Sequence, residues 1–402
     1  MNPLIEKESF YGAHNYAPLP VVLTRGEGVY VWDDSGKQYM DMMSAYSAVS
    51  HGHCHPQLVK ALLEQANTLA MVSRAYYTDK LGTFLQKICE ITGQDKALPM
   101  NTGAEAVETA LKAARKWAYT VKNVPANSAE IIVCNGNFHG RTITIVSMSS
   151  EPQYRAGFGP LTTGFKQIPY GDVEALEKAI TPNTAAFLVE PIQGEAGIVV
   201  PPEGYLKKCA ALCRQHNVLL ICDEIQTGIG RTGRFLASEH EGVKPDGVLL
   251  GKALGGGLLP VSVFLSRRDV MDVFTPGDHG STFGGNPLAA TVGLAALEVL
   301  EKENLITRAA EMGDYLMYHL RQIKSPLIDD VRGKGLLVGI SINPRYHSAR
   351  EFCLRLMKEG VLSKETHETV VRFAPPLIIT KEQVDSVLMA LKRVLAEVEL
   401  KL

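Results

Sequence analysis

The sequence predicts an α/β fold, with a mainly parallel central sheet covered by helices and a smaller α+β domain. Three observations carry this expectation. The runs "EIIVCNG", "AAFLVEPI", "VLLICDE" and "DGVLLGKAL" are apolar without alternation. Such runs read as strands buried on both faces. Helical patterns such as "GYLKKCAALCRQHN" stand between several of them, the order that a parallel sheet needs. From about Asn286 the texture changes to a long helix followed by a separate mixture of helices and strands.

Element by element, "GVYVWDDSGKQYMDM" alternates and turns at Asp33-Asp34-Ser35-Gly36, a β-hairpin. It has no obvious sheet of its own and is expected to join the C-terminal tail. "HPQLVKALLEQANTL" opens with Pro56 in a first-turn position and keeps helical periodicity. "ALPMNTGAEAVETALKAARKWA" reads as a short strand, a polar turn and a helix opening near Gly103. After "PLAATVGLAALEVLEKEN", the tail is expected to hold helices near 306–323, 348–359 and 381–398, and strands in "KGLLVGISI" and "TVVRFAP". The expected division is an N-terminal arm and hairpin (1–49) belonging to the small domain, a large domain (50–285) and a C-terminal small domain (286–402).

Composition narrows the function classes. The chain has 402 residues, a net charge of -2, 46% hydrophobic and 21% charged residues. That balance gives no reason to expect nucleic acid or an anionic membrane as partner. No stretch approaches a membrane span, and the N-terminus resembles neither a secretory signal nor an Arg-rich transit peptide. The seven scattered cysteines suit a reducing compartment. A cytoplasmic enzyme is the expectation. Cys209 and Cys213, four apart on one helix, read as core thiols. "HGHCH" offers His51, His53, Cys54 and His55, but no second cluster completes a metal site, and none is expected.

The strand endings gather the chemistry. Glu190 ends one strand and Asp223 another, and Lys252 follows a third. In open α/β sheets the ligand crevice lies at the carboxyl ends of strands, so Asp223 and Lys252 can face one crevice. On these two residues alone, a buried Asp–Lys salt bridge is an equal alternative. "MNTGAEA" places small residues and free N–H groups at a helix start, a phosphate site or a plain N-cap by Asn101 or Thr102. "NFHGRT" places Phe138 and Arg141 after a further strand, and "GSTFGGNP" is a glycine-rich loop carrying Thr282. A lysine, a buried aspartate, an aromatic ring and two phosphate-type loops together describe a pyridoxal phosphate pocket. There Lys252 forms the Schiff base and Asp223 keeps the pyridine nitrogen protonated. Glu224 faces the opposite way, as adjacent strand residues do. "GKALGGG" is not a nucleotide loop, because Ala253 follows Lys252.

With "NTGAEA", "NFHGRT", "EPIQGEAG", "DEIQTGIGRTG", "GKALGGG" and "STFGGNP", the chain resembles the class III aminotransferases of pyridoxal phosphate fold type I, from about Phe10 onward. "YGAHNYAPLPVVL", "SAYSAVSHGHCHP", "RGKGLL" and "VRFAPPL" are most similar to the ornithine-using branch. The resemblance implies transfer of the δ-amino group of L-ornithine to 2-oxoglutarate, with pyridoxal 5'-phosphate as cofactor, in a homodimer with shared active sites. It implies that Lys252 is the catalytic lysine, that Asp223 pairs with the pyridine nitrogen and that Gln226 lies near the ring hydroxyl. Phe138 stacks on the ring, and Gly103 and Ala104 cap the phosphate with Thr282 from the neighbouring subunit. Arg372 takes an α-carboxylate and Arg141 the distal carboxylate of glutamate. Glu195 pairs with Arg372 when no diacid is bound, and Tyr16 and Tyr46 line the ornithine side.

Plainer roles compete at several positions. Tyr16 could be an interface aromatic, Arg372 a brace and Glu195 a solvated loop residue. Arg231 and Arg234 read as structural surface or interface residues. N-acetylornithine or 4-aminobutyrate is the alternative amine donor, and a non-catalytic cofactor-binding protein is the alternative of a different class.

Overall fold

The computed structural model describes residues 2–346 and 348–400. Positions 1, 401 and 402 of the expected segments lie outside the described residues, as does 347. The central sheet has seven strands in the spatial order Lys96–Met100, Ser262–Ser266, Gly247–Leu250, Leu219–Asp223, Thr184–Val189, Glu130–Cys134 and Phe165–Ile168. Ser262–Ser266 runs antiparallel to both its neighbours, and the other pairings are parallel. The sheet is therefore mainly parallel, as expected. Two of its strands escaped the sequence reading. "SVFLS" follows a glycine-rich loop and looks like its continuation, and "FKQI" is a short edge strand with two polar residues.

Both faces of the sheet are covered. Leu219 and Ile221 point into one core with Ala106, Ala110, Ala114 and Trp117 of the helix Gly103–Thr120. Leu220 and Cys222, the alternate residues, point into another with Tyr205, Leu206, Cys209 and Cys213 of the helix Tyr205–Gln215. Period-2 alternation with apolar residues on both sides explains the unbroken run. Each fully buried aliphatic side chain contributes roughly 1.5–3 kcal/mol. Cys209 and Cys213 are core thiols; burial pushes Cys209 up to about 12.

Two four-stranded sheets complete the described residues. In one, Ile328–Lys334, Leu337–Ile342, Val370–Phe373 and Lys364–Thr366 pair in that order, all antiparallel. In the other, the N-terminal hairpin gains a third strand, Leu23–Glu27, and accepts Val361–Leu362 from the tail in parallel against Met40 and Asp41. The hairpin therefore has a sheet of its own, to which the tail adds one strand. The tail helices run Leu305–Gln322, Ala349–Lys358 and Lys381–Glu399. No helix among the described residues is long and apolar enough to cross a membrane.

The three histidines of "HGHCH" each have an ordinary partner. His51 Nε2 donates to the Ala296 carbonyl at 2.9 Å, His53 meets Asp41 at 2.7 Å and His55 meets Glu303 at 2.9 Å. No group of metal-ligating side chains forms among the described residues. Just upstream, Ser44–Ser47 makes one left-handed turn with φ of 47°, 47°, 59° and 73°. Left-handed backbone costs a non-glycine residue roughly 1–2 kcal/mol. Asp41 Oδ1 holds the turn by accepting from the amides of Met43 (2.8 Å) and Ser44 (2.9 Å), and Ser44 Oγ donates to the Ala374 carbonyl at 2.6 Å.

Ala45 is exposed in this turn, so backbone strain dominates its substitutions. Ala45→Gly is expected to stabilise by about 0.5–1 kcal/mol, the strain relief less the entropy of a glycine in the unfolded chain. Ala45→Val is expected to destabilise by about 1 kcal/mol or more, since a branched Cβ tolerates positive φ least. Urea midpoints of the three proteins test the order.

Candidate active site

Asp223 ends the strand Leu219–Asp223 and is 4% exposed. Its Oδ2 accepts from His139 Nδ1 at 2.6 Å, and its Oδ1 from the Ile225 amide at 3.1 Å. Burial opposes a charge on His139, but the Asp223 carboxylate outweighs burial and holds the imidazole above its ordinary pKa. His139 Nε2 is buried and has no hydrogen-bond partner among the described residues. Glu190, at the end of the neighbouring strand, accepts from the amides of Phe138 (2.9 Å) and Gly194 (3.3 Å). Burial pushes the Glu190 carboxyl up to about 7, against the pull of His139. Glu224 turns away, as expected. It is fully buried and accepts from Thr227 Oγ1 and the amides of Ala237 (2.9 Å) and Ser238 (2.8 Å), fixing the next loop.

Lys252 lies one residue beyond Gly251, where the chain leaves Gly247–Leu250, and its own φ is 43°. No hydrogen bond or ion pair engages its amine among the described residues. The simple Asp223–Lys252 salt bridge is not what the fold builds: Asp223 pairs with His139 instead. Burial holds the Lys252 pKa below the ordinary lysine value, while Glu195 and Asp223 pull the other way. A depressed pKa leaves more of the amine neutral and nucleophilic.

Arg372, on the strand Val370–Phe373, is fully buried. Its Nη1 donates to Glu195 Oε1 at 2.8 Å, and its guanidinium carbon lies 5.1 Å from the centre of the Tyr46 ring. Its Nε and Nη2 are buried without partners among the described residues. Glu195 stays partly exposed, with 24% of its side chain accessible. Its carboxyl is held below the ordinary pKa: burial raises it, and Arg372 and Gln226 more than compensate. Gln226 Nε2 donates to the same Glu195 oxygen at 3.1 Å. Arg332 fixes the loop by donating to the carbonyls of Gly197 (2.7 Å) and Ile198 (3.1 Å).

The helix Gly103–Thr120 begins beside this group. A Cβ on Gly103 would lie 3.0 Å from Ile225 Cδ1, and one on Gly140 would lie 3.0 Å from the Ala104 Cβ. Thr102 and Glu105 form a capping box. The plain N-cap therefore exists, and it occupies the Glu105 amide; those of Gly103 and Ala104 precede it and remain available. Phe138 meets Tyr154 edge-on at 6.0 Å, and Arg141 lies over both rings, at 5.3 Å and 4.2 Å. Tyr16, 67% exposed, lines a cavity of about 260 Å³ with Arg141 and Tyr154. Thr282 is set apart: it is exposed, while its neighbour Ser281 accepts from Asn101 Nδ2 at 2.8 Å.

One expectation about these residues is corrected. Arg231 is not at the surface: it is fully buried and donates to the carbonyls of Leu336 (3.0 Å) and Pro375 (2.5 Å) and to Ser50 Oγ (2.9 Å). Burial, and then the charge of Arg372, lower its pKa to about 9. Arg234 is exposed. The sequence reading missed His139, Tyr154 and Arg332. His139 stands inside "NFHGRT", beside the residues that were singled out.

Gly194 decides how closely Gln226 approaches. A Cβ there would fall 1.5 Å from Gln226 Oε1. Gly194→Ala must displace Gln226 and with it one donor to Glu195. The expected cost is roughly 1–3 kcal/mol, as for other overpacked sites, read from urea unfolding. An unchanged midpoint would mean that the loop relaxes freely.

The sequence profile described as Aminotransferase class-III matches residues 11–395. The Staphylococcus aureus protein named Ornithine aminotransferase 2 is 58% identical over 391 residues, 97% of this chain and 98% of that one. An Exiguobacterium protein named Ornithine aminotransferase is 57% identical over 393 residues, 98% and 97% of the two chains. Among solved structures, the ornithine aminotransferase of Toxoplasma gondii ME49 superposes with a TM-score of 0.98 at 47% identity, covering 99% of this chain and 96% of that one. An acetylornithine aminotransferase from Elizabethkingia anophelis is 51% identical with a TM-score of 0.90, covering 98% of each chain. A match over most of the length, together with a lysine and a buried aspartate at adjoining strand ends, leads to one conclusion: the chain belongs to the class III aminotransferase family.

Proposed function

We propose that the chain transfers the δ-amino group of L-ornithine to 2-oxoglutarate. The products are glutamate and glutamate 5-semialdehyde, which cyclises to pyrroline-5-carboxylate. The observation that carries this reading is the pair between buried Arg372 and Glu195. Glutamate reacts at its α-amine, with its α-carboxylate on Arg372. Ornithine held in the same way would also present its α-amine. A carboxylate already on Arg372 removes that anchor, so ornithine enters with its δ-amine leading. A diacid displaces Glu195 because it gains Arg141 at its other end. Tyr16 and Tyr46 receive the α-amino-acid head of ornithine.

The cofactor of the family is pyridoxal 5'-phosphate, found at partial occupancy in the active site of another Toxoplasma gondii structure, 47% identical to this chain. The residues present fit it. Gln226 Oε1 is buried without a partner among the described residues and can accept from a ring hydroxyl. Asp223 is a buried carboxylate for the ring nitrogen, and the amides of Gly103 and Ala104 suit the phosphate. Phe138 offers a ring face. When bound, the cofactor supplies an electron-accepting ring that lets a proton leave the amine-bearing carbon. Lys252 would hold it covalently, and its Nζ would serve to move that proton. His139 holds the other side of Asp223 through the bond to Oδ2.

We take 50–285 as the cofactor-binding domain and 1–49 with 286–402 as the small domain. A homodimer with shared sites brings Thr282 of the partner subunit to the phosphate. Exposed Tyr76, Tyr77 and Phe283 support a covered surface there, and both tyrosines share a surface cavity with Gly285. Free thiols at all seven cysteines fit a cytoplasmic location.

The Elizabethkingia relative keeps N-acetylornithine as the second reading. A panel of amine donors with 2-oxoglutarate, trapping the cyclised product with an aromatic amine, separates the two. Turnover of N-acetylornithine in preference to ornithine would reverse the assignment.

Lys252→Ala is expected to bind the cofactor without a covalent link and to lose at least about 10³-fold in transamination, since one side chain supplies both link and proton transfer. Absorbance spectra before and after borohydride, with steady-state rates, test this. Glu195→Ala is expected to slow the ornithine half-reaction about tenfold or divert it to the α-amine, the loss of one charge-assisted pair. Its glutamate half-reaction is expected to hold or quicken. Single-turnover spectra of each half-reaction decide; equal slowing of both would leave Glu195 a structural residue.

A further inference from the structure

We propose that Arg350 is a positioning residue for the amine donor: it clamps the segment carrying Tyr16 onto the sheet carrying Arg372, and so sets affinity for ornithine without touching it. The inference rests on the reading of Tyr16 as a donor contact.

Tyr16 belongs to a stretch, residues 12–22, with no helix or strand. An exposed tyrosine on such a stretch can serve a site only if something fixes it. Arg350 Nη1 donates to the Ala17 carbonyl at 3.0 Å, and Nη2 to the Pro18 carbonyl at 3.2 Å. Among the described residues, no other hydrogen bond ties residues 12–20 to a distant part of the chain. Leu19 adds an apolar contact with the main core.

Arg350 is itself held from the other side. Its Nη1 also meets Glu365 Oε1 at 2.9 Å, and Lys364 Nζ reaches the same oxygen at 3.0 Å. Glu365 is largely buried, with 15% of its side chain accessible. It sits on Lys364–Thr366, the strand next to Val370–Phe373, where Lys364 is directly opposite Arg372. The clamp thus references Tyr16 to the strand that presents Arg372. The Tyr46 ring lies 5.1 Å from the Arg372 guanidinium carbon; burial and Glu195 raise its hydroxyl pKa and Arg372 opposes them, with smaller upward contributions from Tyr16 and Glu365. Helix stability does not account for Arg350, which is second in the helix Ala349–Lys358. A cation in the first turn opposes the macrodipole.

In a two-step exchange, kcat/KM for each substrate reports its own half-reaction. Arg350→Ala in the holoenzyme is expected to lower kcat/KM for ornithine about tenfold, the loss of two charge-assisted bonds to carbonyls. Its kcat/KM for 2-oxoglutarate is expected to stay within about twofold. Hydrogen exchange of residues 12–20 is expected to rise, a readout independent of turnover. Arg350→Lys keeps the charge and one donor; it is expected to recover part of both losses and guards against a misfolded alanine variant. Tyr16→Phe is measured alongside. A loss for ornithine in Tyr16→Phe but none in Arg350→Ala overturns the clamp and leaves the donor reading standing. No loss in either overturns the donor reading, and the clamp with it. Equal losses for both substrates in Arg350→Ala make Arg350 a residue of general stability and overturn the proposal.

Discussion

A carboxylate at the end of a fully buried strand needs polar partners, and Asp223 is that carboxylate. It is 4% exposed, and its partners are a histidine and one backbone amide. His139 needs a fixed place, which the loop after Glu130–Cys134 supplies, and Glu190 fixes that loop through the Phe138 amide. Glu190 itself sits at a third strand end. The parallel order of the sheet brings these ends together, so the polar cluster is a direct result of strand topology. The apolar alternation on both sheet faces makes the topology stable enough to hold buried charges.

The second polar cluster sits where the central sheet meets the antiparallel one. Arg372 comes from the antiparallel sheet, and Glu195 and Gln226 come from loops of the central one. Breaking one partner of a buried pair costs more than the pair contributes, because the other charge remains. Arg231 lies close by; its Nη1 and Nη2 donate to neutral acceptors, and its Nε is buried without a partner among the described residues. Two guanidinium groups near one another leave a carboxylate in the crevice strongly favoured. Glu195, only partly buried, is the more exposed half of its pair with Arg372.

Much of this was legible in the sequence, because strand ends announce themselves. "LLICDE" and "VLLGKAL" stop at residues that an apolar core rejects, and those residues are Asp223 and Lys252. The helix start at Gly103 was readable from its capping residues. Other features left no such mark. His139 is one histidine among several, and only the fold brings it to Asp223. The left-handed turn at Ser44–Ser47 contains no glycine, so nothing local signalled positive φ. Arg231 sits in a glycine-rich run that looks like a surface loop, and its burial depends on Leu336 and Pro375, far along the chain. The antiparallel strand Ser262–Ser266 has the composition of its parallel neighbours, and strand direction is not written in composition.

The pairing of Val361–Leu362 with Met40 and Asp41 joins opposite ends of the chain. Contacts of such sequence separation form late, since a long loop must close first. During synthesis, Asp223 and Lys252 can reach their strand ends while the later part of the last third of the chain, which carries Arg372, is still unmade. Tyr46 and Arg372 cannot meet until that third has emerged and paired. The crevice is therefore finished from its floor upward, and a truncated chain would carry Lys252 without the Arg372–Glu195 pair beside it.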